Sequence, residues 1–256
     1  MRILVLVKEV PDTYGDRTLN LETGLAERSE NVIDEIGERA LEVALKYADE
    51  HPETEVTVLT MAPEHATTSI RKALGMGATD AVHVLADTLA GADLLLTADV
   101  LAAAARDVGF DLIIAGNQST DGSGGMVPVM MAELLDVPNL TCLQSVTIAE
   151  DRVSGVRASD DAALTVSAEL PAVISITEQL PDARFPNFKG IMAAKKKPLR
   201  VVTPTELGID PEQPTSSAAI MLAVTQRPPR AAGVKIVDEG DAGTRLAAFL
   251  AENHLS

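Results

Sequence analysis

The chain has no tryptophan, two tyrosines and four phenylalanines in 256 residues, so its core cannot be built on rings. It must be aliphatic, made of Val, Ile, Leu, Ala and Met. Apolar residues at 46 % suffice for a folded globule and are too many for a disordered chain. The single cysteine, Cys142, excludes an intrachain disulfide and fits a reducing compartment. The four histidines, His51, His65, His83 and His254, are scattered without metal-ligand spacing. Long hydrophobic runs are missing as well. The opening run from Met1 to Lys8 is too short and too soon interrupted for a signal peptide. The longest charge-free stretch, Gln213 to Gln226, is mixed with Thr, Ser and Gln and cannot span a bilayer. The expectation is a cytoplasmic protein, or one of an equivalent soluble compartment. The length allows one large domain, or one domain with an appendage.

Cation excess is also absent. A net charge of −17 argues against general nucleic-acid binding, which needs Lys and Arg to displace counterions. The exception is local. From Arg184 to Arg200 lie six cations (Arg184, Lys189, Lys195, Lys196, Lys197 and Arg200) and no acid. Such a strip is a solvated face or, less often, a docking surface.

What is present is an alternation of strands and helices. The run from Arg2 to Val7 is apolar from Ile3 onward, the pattern of a strand buried on both faces of a parallel sheet. The polar segment Pro11 to Arg28 is too long for a simple connection. Asp34 to Asp49 carries Ile36, Ala40, Leu41, Ala44, Leu45 and Ala48 at helical spacing. Further strands are predicted at Glu55–Met61, Ala81–Leu85 and Asp111–Ala115, and helices at Glu64–Met76, Asp93–Val108 and Val129–Leu135. Right-handed βαβ crossovers and an open, mostly parallel, Rossmann-like sheet follow. After Leu140 the strands become shorter and alternating: Thr141–Ile148, Arg152–Arg157 and Ala162–Glu169, with Ala172–Thr177 apolar again. A hairpin or meander extending the sheet is expected. From Gln179 on, Pro181, Pro186, Pro198, Pro204, Pro211, Pro214, Pro228 and Pro229 predict an extended C-terminal arm with a last helix at Ala242–Asn253. The division is thus a nucleotide-binding α/β domain over 1–178, and a loop and arm over 179–256.

The strongest local signal is the run from Ala115 to Pro128, which follows a buried strand and precedes a helix. In open parallel sheets ligands bind beyond the carboxyl ends of the strands, where this loop must lie. Gly122, Gly124 and Gly125 lack a Cβ and let a phosphate approach the backbone. The N–H groups of Ser123 to Met126 are expected to be free donors at the start of the helix, favourable to an anion by about 0.3–1 kcal/mol. Ser119, Thr120 and Ser123 add hydroxyls, and Asp121 is placed to hold the loop by accepting N–H bonds. No Gly-Lys-Ser/Thr follows, so this is not a Walker A loop. No Gly-x-Gly-x-x-Gly follows the first strand either. The alternative is a turn that merely lets strand meet helix.

Catalytic constellations are otherwise missing. Cys142 has no adjacent base and reads as a small core residue. Asp160–Asp161 and Asp238–Glu239 read as solvated surface. Asp12, just past the first strand, stands alone, and there is no triad.

The same residues carry a family resemblance. Val7-Lys-Glu-Val-Pro-Asp12, Gly116-Asn-Gln-Ser-Thr-Asp121 with its glycines, Leu170-Pro-Ala-Val173, Ile191-Met-Ala-Ala-Lys-Lys-Lys197 and Arg230-Ala-Ala-Gly-Val-Lys235 occur in order along nearly the whole chain. Together the sequence resembles the β subunit of electron-transfer flavoprotein, of adenine nucleotide α hydrolase-like fold. The resemblance implies a heterodimer with an α subunit that carries most contacts to a redox-active FAD, while β buries an AMP of structural role. It implies an electron carrier, not an enzyme. Electrons pass from flavin dehydrogenases to a membrane-linked quinone oxidoreductase, with the chemistry done by FAD.

Carried over by position, the AMP site comprises Leu6, the helix start Asp34, Glu35, Ile36 and Gly37, and Met61. Asn117, Gln118, Ser119, Thr120, Asp121, Gly122, Ser123, Gly124, Gly125, Met126, Val127 and Pro128 complete it. Relatives have Asn-Pro-Phe where this chain has Asp34-Glu35-Ile36. Either Thr13 or Tyr14 corresponds to a tyrosine that touches the flavin. Arg184, Phe188, Lys189, Ile191 and Met192 correspond to a loop that recognises dehydrogenases, with Phe188 as the anchor. An aromatic between Pro186 and Gly190 in a polar stretch is also what an exposed hot spot looks like, the alternative being a Phe188 buried under the arm. Two rivals stay open. One is a bifurcating relative that holds a second FAD in place of AMP and accepts electrons from NADH. The other is a free-standing adenine-nucleotide-binding module, against which the long arm speaks.

Overall fold

Burial on both faces explains the first strand. In β1 (Arg2–Leu6), Ile3, Leu4 and Val5 are all at most 1 % exposed. Ile3 and Val5 enter one apolar cluster and Leu4 the other, so the strand lies between two helical layers. The computed structural model describes residues 1–15, 17–28, 30–85, 87–210, 219–230 and 232–255.

From β1 the chain runs through a short antiparallel pair, β2 (Glu9–Pro11) and β3 (Asn31–Ile33), into α1 (Glu35–Glu50) and β4 (Glu55–Ala62). A 3-10 turn at Glu64–Ala66 leads to α2 (Thr67–Met76), then β5 (Asp80–Leu85), α3 (Leu94–Val108), β6 (Leu112–Gly116) and α4 (Val127–Leu135). The meander β7 (Asn139–Ile148), β8 (Arg152–Ala158) and β9 (Ala163–Glu169) follows. β10 (Ala172–Ile176) then returns to the centre of the sheet, and α5 (Phe188–Ala194), β11 (Leu199–Val202) and α6 (Ala242–Glu252) complete the order.

Among the described residues nine strands form one sheet, ordered β11-β5-β4-β1-β6-β10-β7-β8-β9. Every pairing from β11 to β7 is parallel; β8 and β9 are added antiparallel. Helices α1 and α2 cover one face, through Leu41, Leu45, Ile70 and Leu74. Helices α3 and α4 cover the other, through Leu96, Leu101 and Met131. The chain winds from β1 to β4 and β5 on one side, then crosses back to β6 on the other. The carboxyl ends of β1 and β6 therefore form a topological switch point, the crevice where open α/β sheets take their ligands.

The expected elements occur with boundaries shifted by a few residues. The expected helix from Glu64 opens with a turn of 3-10 helix, and the alternating strands after Leu140 are the meander. Three features differ from expectation. The long segment after Pro11 is stapled at its base by the β2–β3 pair, with a further bridge between Leu19 and Ala26. The chain does not leave the sheet at Gln179, because β11 pairs with β5 as an edge strand. Pro198 and Pro204 hid that strand. An edge tolerates proline at its entry, and the Pro198 carbonyl accepts Ala81 N–H at 3.2 Å. Cys142 is exposed rather than core. It sits at φ 55° where the β7–β10 register shifts, and its N–H is held by Ser175 Oγ at 3.0 Å.

The described residues divide into two compact units, Met1–Ala223 and Val224–Ser256. In the second, Asp238 accepts the N–H groups of Gly240 (2.9 Å) and Ala242 (3.2 Å) and so starts α6, which exposes Leu246 and Phe249. Pro211 and Pro214 of the expected arm, and Ala231 of the Arg230–Lys235 motif, lie outside the described residues.

Candidate functional site

At the switch point three pieces of backbone meet. Asp34 caps α1: its carboxylate accepts Ile36 N–H at 3.4 Å, and its own N–H is given to the Lys8 carbonyl at 2.8 Å. The same carboxylate accepts the N–H of Thr120, in the loop after β6, at 2.8 Å. Asp34 is thus almost wholly buried and engaged by the fold. Burial pushes its carboxyl above the ordinary range, while the N–H groups of Thr120 and Ile36 pull it back. Gly116 ends β6 against α1; a Cβ there would stand 2.5 Å from Ile36 Cγ2. A Cβ on Gly37 would only make ordinary contact with Val7 Cα, just past β1, so this position has room for a side chain. Glu35 points outward, paired with Arg39 at 3.0 Å. Leu6 and Met61, both half-buried, pack against the α3–α4 face of the sheet.

The glycine loop is held from within. Asn117 Oδ1 accepts Gln118 N–H at 2.9 Å, and Asp121 accepts Gly122 N–H at 2.6 Å. The Ser119 carbonyl accepts Ser123 N–H at 2.9 Å and its hydroxyl at 3.3 Å. Ser123 N–H is therefore spent on the turn, which corrects the expectation that it is a free donor. Ser123 and Gly125 have φ of 49° and 66°, a left-handed backbone that a glycine takes without strain. Beyond them α4 begins with Met126 at its cap, no side-chain cap bond, and Pro128 in the first turn. Its first N–H groups depend on solvent or a ligand, the arrangement that receives anions.

Sequence reasoning missed three cations around this loop. Lys8 Nζ donates to Asp121 Oδ1 at 2.7 Å and to Ser119 Oγ at 3.1 Å. Arg28 reaches Asp121 Oδ2 at 2.8 Å and the Glu9 carbonyl at 2.9 Å, and Arg17 donates to the Thr120 carbonyl. Burial alone would raise the Asp121 carboxyl, but Lys8, Ser119 and Arg28 outweigh it and hold it well below the ordinary range. Three cations thus converge on the loop, Lys8 and Arg28 on the Asp121 carboxylate and Arg17 on the Thr120 carbonyl, with the Asp34 carboxylate beside them. A signal existed: these are the three cations between Lys8 and Arg28, and the quoted Val7–Asp12 motif contains the first.

Thr13 and Tyr14 are both exposed on the turn that Asp12 makes by accepting Tyr14 N–H at 3.0 Å; Tyr14 is 100 % exposed. Asp12 thus serves a turn. Of the histidines, His83 is buried against the Ala62 carbonyl, His65 pairs with Glu9, and His51 stacks on Tyr47. Among the described residues no cluster of metal-ligating side chains occurs, and no helix is long and apolar enough to cross a membrane.

A second region surrounds α5. Asn187 caps it by accepting Gly190 N–H at 2.8 Å. Gly190 and Gly75 let α5 lie against α2, since a Cβ on Gly190 would collide with the Gly75 carbonyl. Phe188 is 79 % and Phe185 89 % exposed, with Ile191 and Met192 about half exposed beside them. Phe188 is exposed among the described residues, and Phe185 was missed. The basic strip is only partly free. Arg184 is taken by Glu42 and Asp49, and Arg200 by Asp107 at 2.6 Å. Lys197 Nζ donates to the carbonyls of Leu74 (3.0 Å), Gly77 (3.2 Å) and Ala78 (2.5 Å) at the end of α2. Lys189, Lys195 and Lys196 are exposed.

Fold and site together define a doubly wound α/β protein with a cation-lined glycine loop at its switch point and, apart from it, exposed aromatics around α5. Residues 23–207 match the electron transfer flavoprotein domain. The chain is 45 % identical over 257 residues to electron transfer flavoprotein subunit beta of Mycobacterium tuberculosis (strain ATCC 25618 / H37Rv), covering 97 % of each. It is 34 % identical to the caffeyl-CoA reductase-Etf complex subunit CarD of Acetobacterium woodii, over 83 % of this chain and 82 % of that one. It is also 32 % identical to electron transfer flavoprotein subunit beta of Megasphaera elsdenii, over 77 % and 76 %. The chain belongs to the electron transfer flavoprotein family, whose role is electron carriage with a flavin.

Proposed function

We propose that this chain is the β subunit of an electron-transferring heterodimer, pairs with an FAD-carrying α subunit, and holds AMP on the loop from Asn117 to Pro128. The carrying observation is the loop itself: an uncapped helix start at the switch point, ringed by Lys8, Arg17 and Arg28. The phosphate meets backbone N–H groups near Gly124 and Gly125. Leu6, Met61 and the α1 start from Asp34 to Gly37 frame the crevice from the other strands. Asp34 here shapes the site by holding Thr120, and ligand contacts at that corner fall to backbone and to Ile36 or Gly37. The solvent-facing Thr13 and Tyr14 turn is the side offered to the flavin of the α subunit.

The face formed by Phe188, Lys189, Ile191 and Met192, with Phe185, receives flavin dehydrogenases. Electrons then leave to a membrane-linked quinone oxidoreductase. Residues 179–256 supply this loop and an arm that packs on the α subunit, and the lone exposed Cys142 suits the cytoplasm. Acid extraction of the purified heterodimer, with AMP and FAD counted per dimer, tests the reading: one of each is expected. The likeness to CarD favours a second reading, in which the β site holds FAD and takes electrons from NADH. Two FAD and no AMP per dimer would establish it.

A further inference from the structure

Between β10 and α5 the chain crosses residues 177–187 without regular structure, and it leaves Phe185 and, at the start of α5, Phe188 exposed. Helix α1 fixes that path. Arg39 donates to the Leu180 carbonyl and pairs with Asp182. Three residues further along α1, Glu42 receives Arg184 three times: backbone N at 3.0 Å and Nε at 2.8 Å on Oε2, and a terminal nitrogen at 3.0 Å on Oε1. Asp49 takes the outer edge of the same guanidinium at 2.8 Å and 3.4 Å.

Glu42 lies on the buried side of α1 among Ala40, Leu41, Ala44 and Leu45 and is itself 7 % exposed. A carboxylate there is costly unless fully paired, and its partner comes from 142 residues away. A bidentate guanidinium–carboxylate pair fixes direction as well as distance. Arg184 immediately precedes Phe185 and stands four residues before Phe188. The far end of α5 is clamped too, because Arg71 of α2 donates to the carbonyls of Ala194 (2.7 Å) and Lys197 (2.8 Å). The entry clamp sets where the exposed aromatics stand; the exit clamp sets the helix.

We infer that Glu42 is a positioning residue for partner docking: it touches no partner, and by holding Arg184 it fixes the segment Phe185–Met192 in the geometry a partner meets. Arg184 thereby acts inside the chain rather than as a partner contact. The inference rests on the docking role given above to Phe188. Preorganised surfaces bind tightly because the ordering cost is already met, so loosening the clamp should weaken encounter without touching the flavin.

The test uses the intact heterodimer and a partner flavin dehydrogenase, with initial electron-acceptance rates measured against carrier concentration. Glu42→Gln should raise KM about tenfold and leave kcat and flavin content unchanged. Arg184→Lys keeps the charge but loses the fork; it should fall between wild type and Glu42→Gln, and it serves as the test variant if Glu42→Gln does not fold. The double variant Glu42→Gln/Arg184→Gln should cost no more than either single, since the pair acts as one. A fall in thermal stability with KM unchanged would show a purely structural pair and overturn the inference. Phe188→Ala is measured alongside. Raised KM in Phe188→Ala but not in the clamp variants refutes positioning alone; unchanged KM in Phe188→Ala refutes the docking face itself.

Discussion

The Asp34 carboxylate accepts the backbone N–H of Thr120 at 2.8 Å, so the residue that starts α1 also fixes the loop after β6, 86 positions away. A helix cap is worth roughly 0.5–2 kcal/mol, and a buried N–H left unpaired costs about 1–3 kcal/mol. Asp34→Ala should therefore lower the urea midpoint clearly, and Asp34→Asn, which keeps an acceptor, should not.

The two loop carboxylates predict opposite pH behaviour. Asp121 is held below the ordinary range, so its stabilisation is present above about pH 4 and is lost as pH falls through its folded value. Asp34 is raised by burial, so its contribution is full below about pH 4 and is lost as pH rises through its folded value. Urea midpoints followed from about pH 3 to about pH 7 should show a shallower acid limb in Asp121→Asn and a steeper one in Asp34→Asn. The same slope in both would refute the assignment.

Two glycines near the loop carry different costs. Gly125→Val puts a branched side chain at φ 66°, which strains the left-handed backbone and crowds the proposed phosphate position, so it should both lower stability and remove bound nucleotide from the heterodimer after gel filtration. Gly116→Ala, whose Cβ meets Ile36, should cost about 1–3 kcal/mol of stability by overpacking. Retained nucleotide in Gly125→Val would place the anion elsewhere.

Much of this was legible in the sequence, for reasons that also mark the limits. Continuous apolar runs such as Ile3–Val5 and the helical spacing of Leu41 and Leu45 are local patterns, and burial between layers enforces them. The glycine loop was legible because Gly122, Gly124 and Gly125 follow a buried strand. Lys8 and Asp121 are 113 residues apart, and no local pattern announces their ion pair. Within the run Lys195 to Lys197, only the third lysine meets the end of α2, and identical neighbours conceal that. β11 was hidden between prolines, which an edge strand accommodates and a central strand does not.

That lysine run yields a divided prediction. Lys197 leaves three carbonyls without their donor when truncated, so Lys197→Met should lower stability by roughly 1–2 kcal/mol. Lys195→Met and Lys196→Met should leave the urea midpoint unchanged and flatten the salt dependence of electron acceptance from a dehydrogenase, because exposed charges act on encounter. Salt dependence altered in Lys197→Met alone would reverse the assignment.

The exposed aromatics give the sharpest separation of docking from folding. Phe188 opens α5 with 79 % of its surface exposed, and Phe185 stands beside the Arg184 clamp with 89 % exposed. Neither fills a core, so Phe188→Ala leaves no cavity and thermal stability should hold. In a docked complex the ring would be buried, and truncating such an anchor typically costs about 2 kcal/mol or more. Since about 1.4 kcal/mol is a factor of ten, electron acceptance at limiting carrier concentration should fall roughly thirtyfold. AMP and FAD content and reduction by dithionite should not change, because the aromatics lie outside the switch-point crevice. Phe185→Ala should show a loss of the same kind, and the double variant less than the sum if both rings enter one pocket. Loss of flavin or early unfolding in Phe188→Ala would make the ring part of the fold and move the docking face elsewhere.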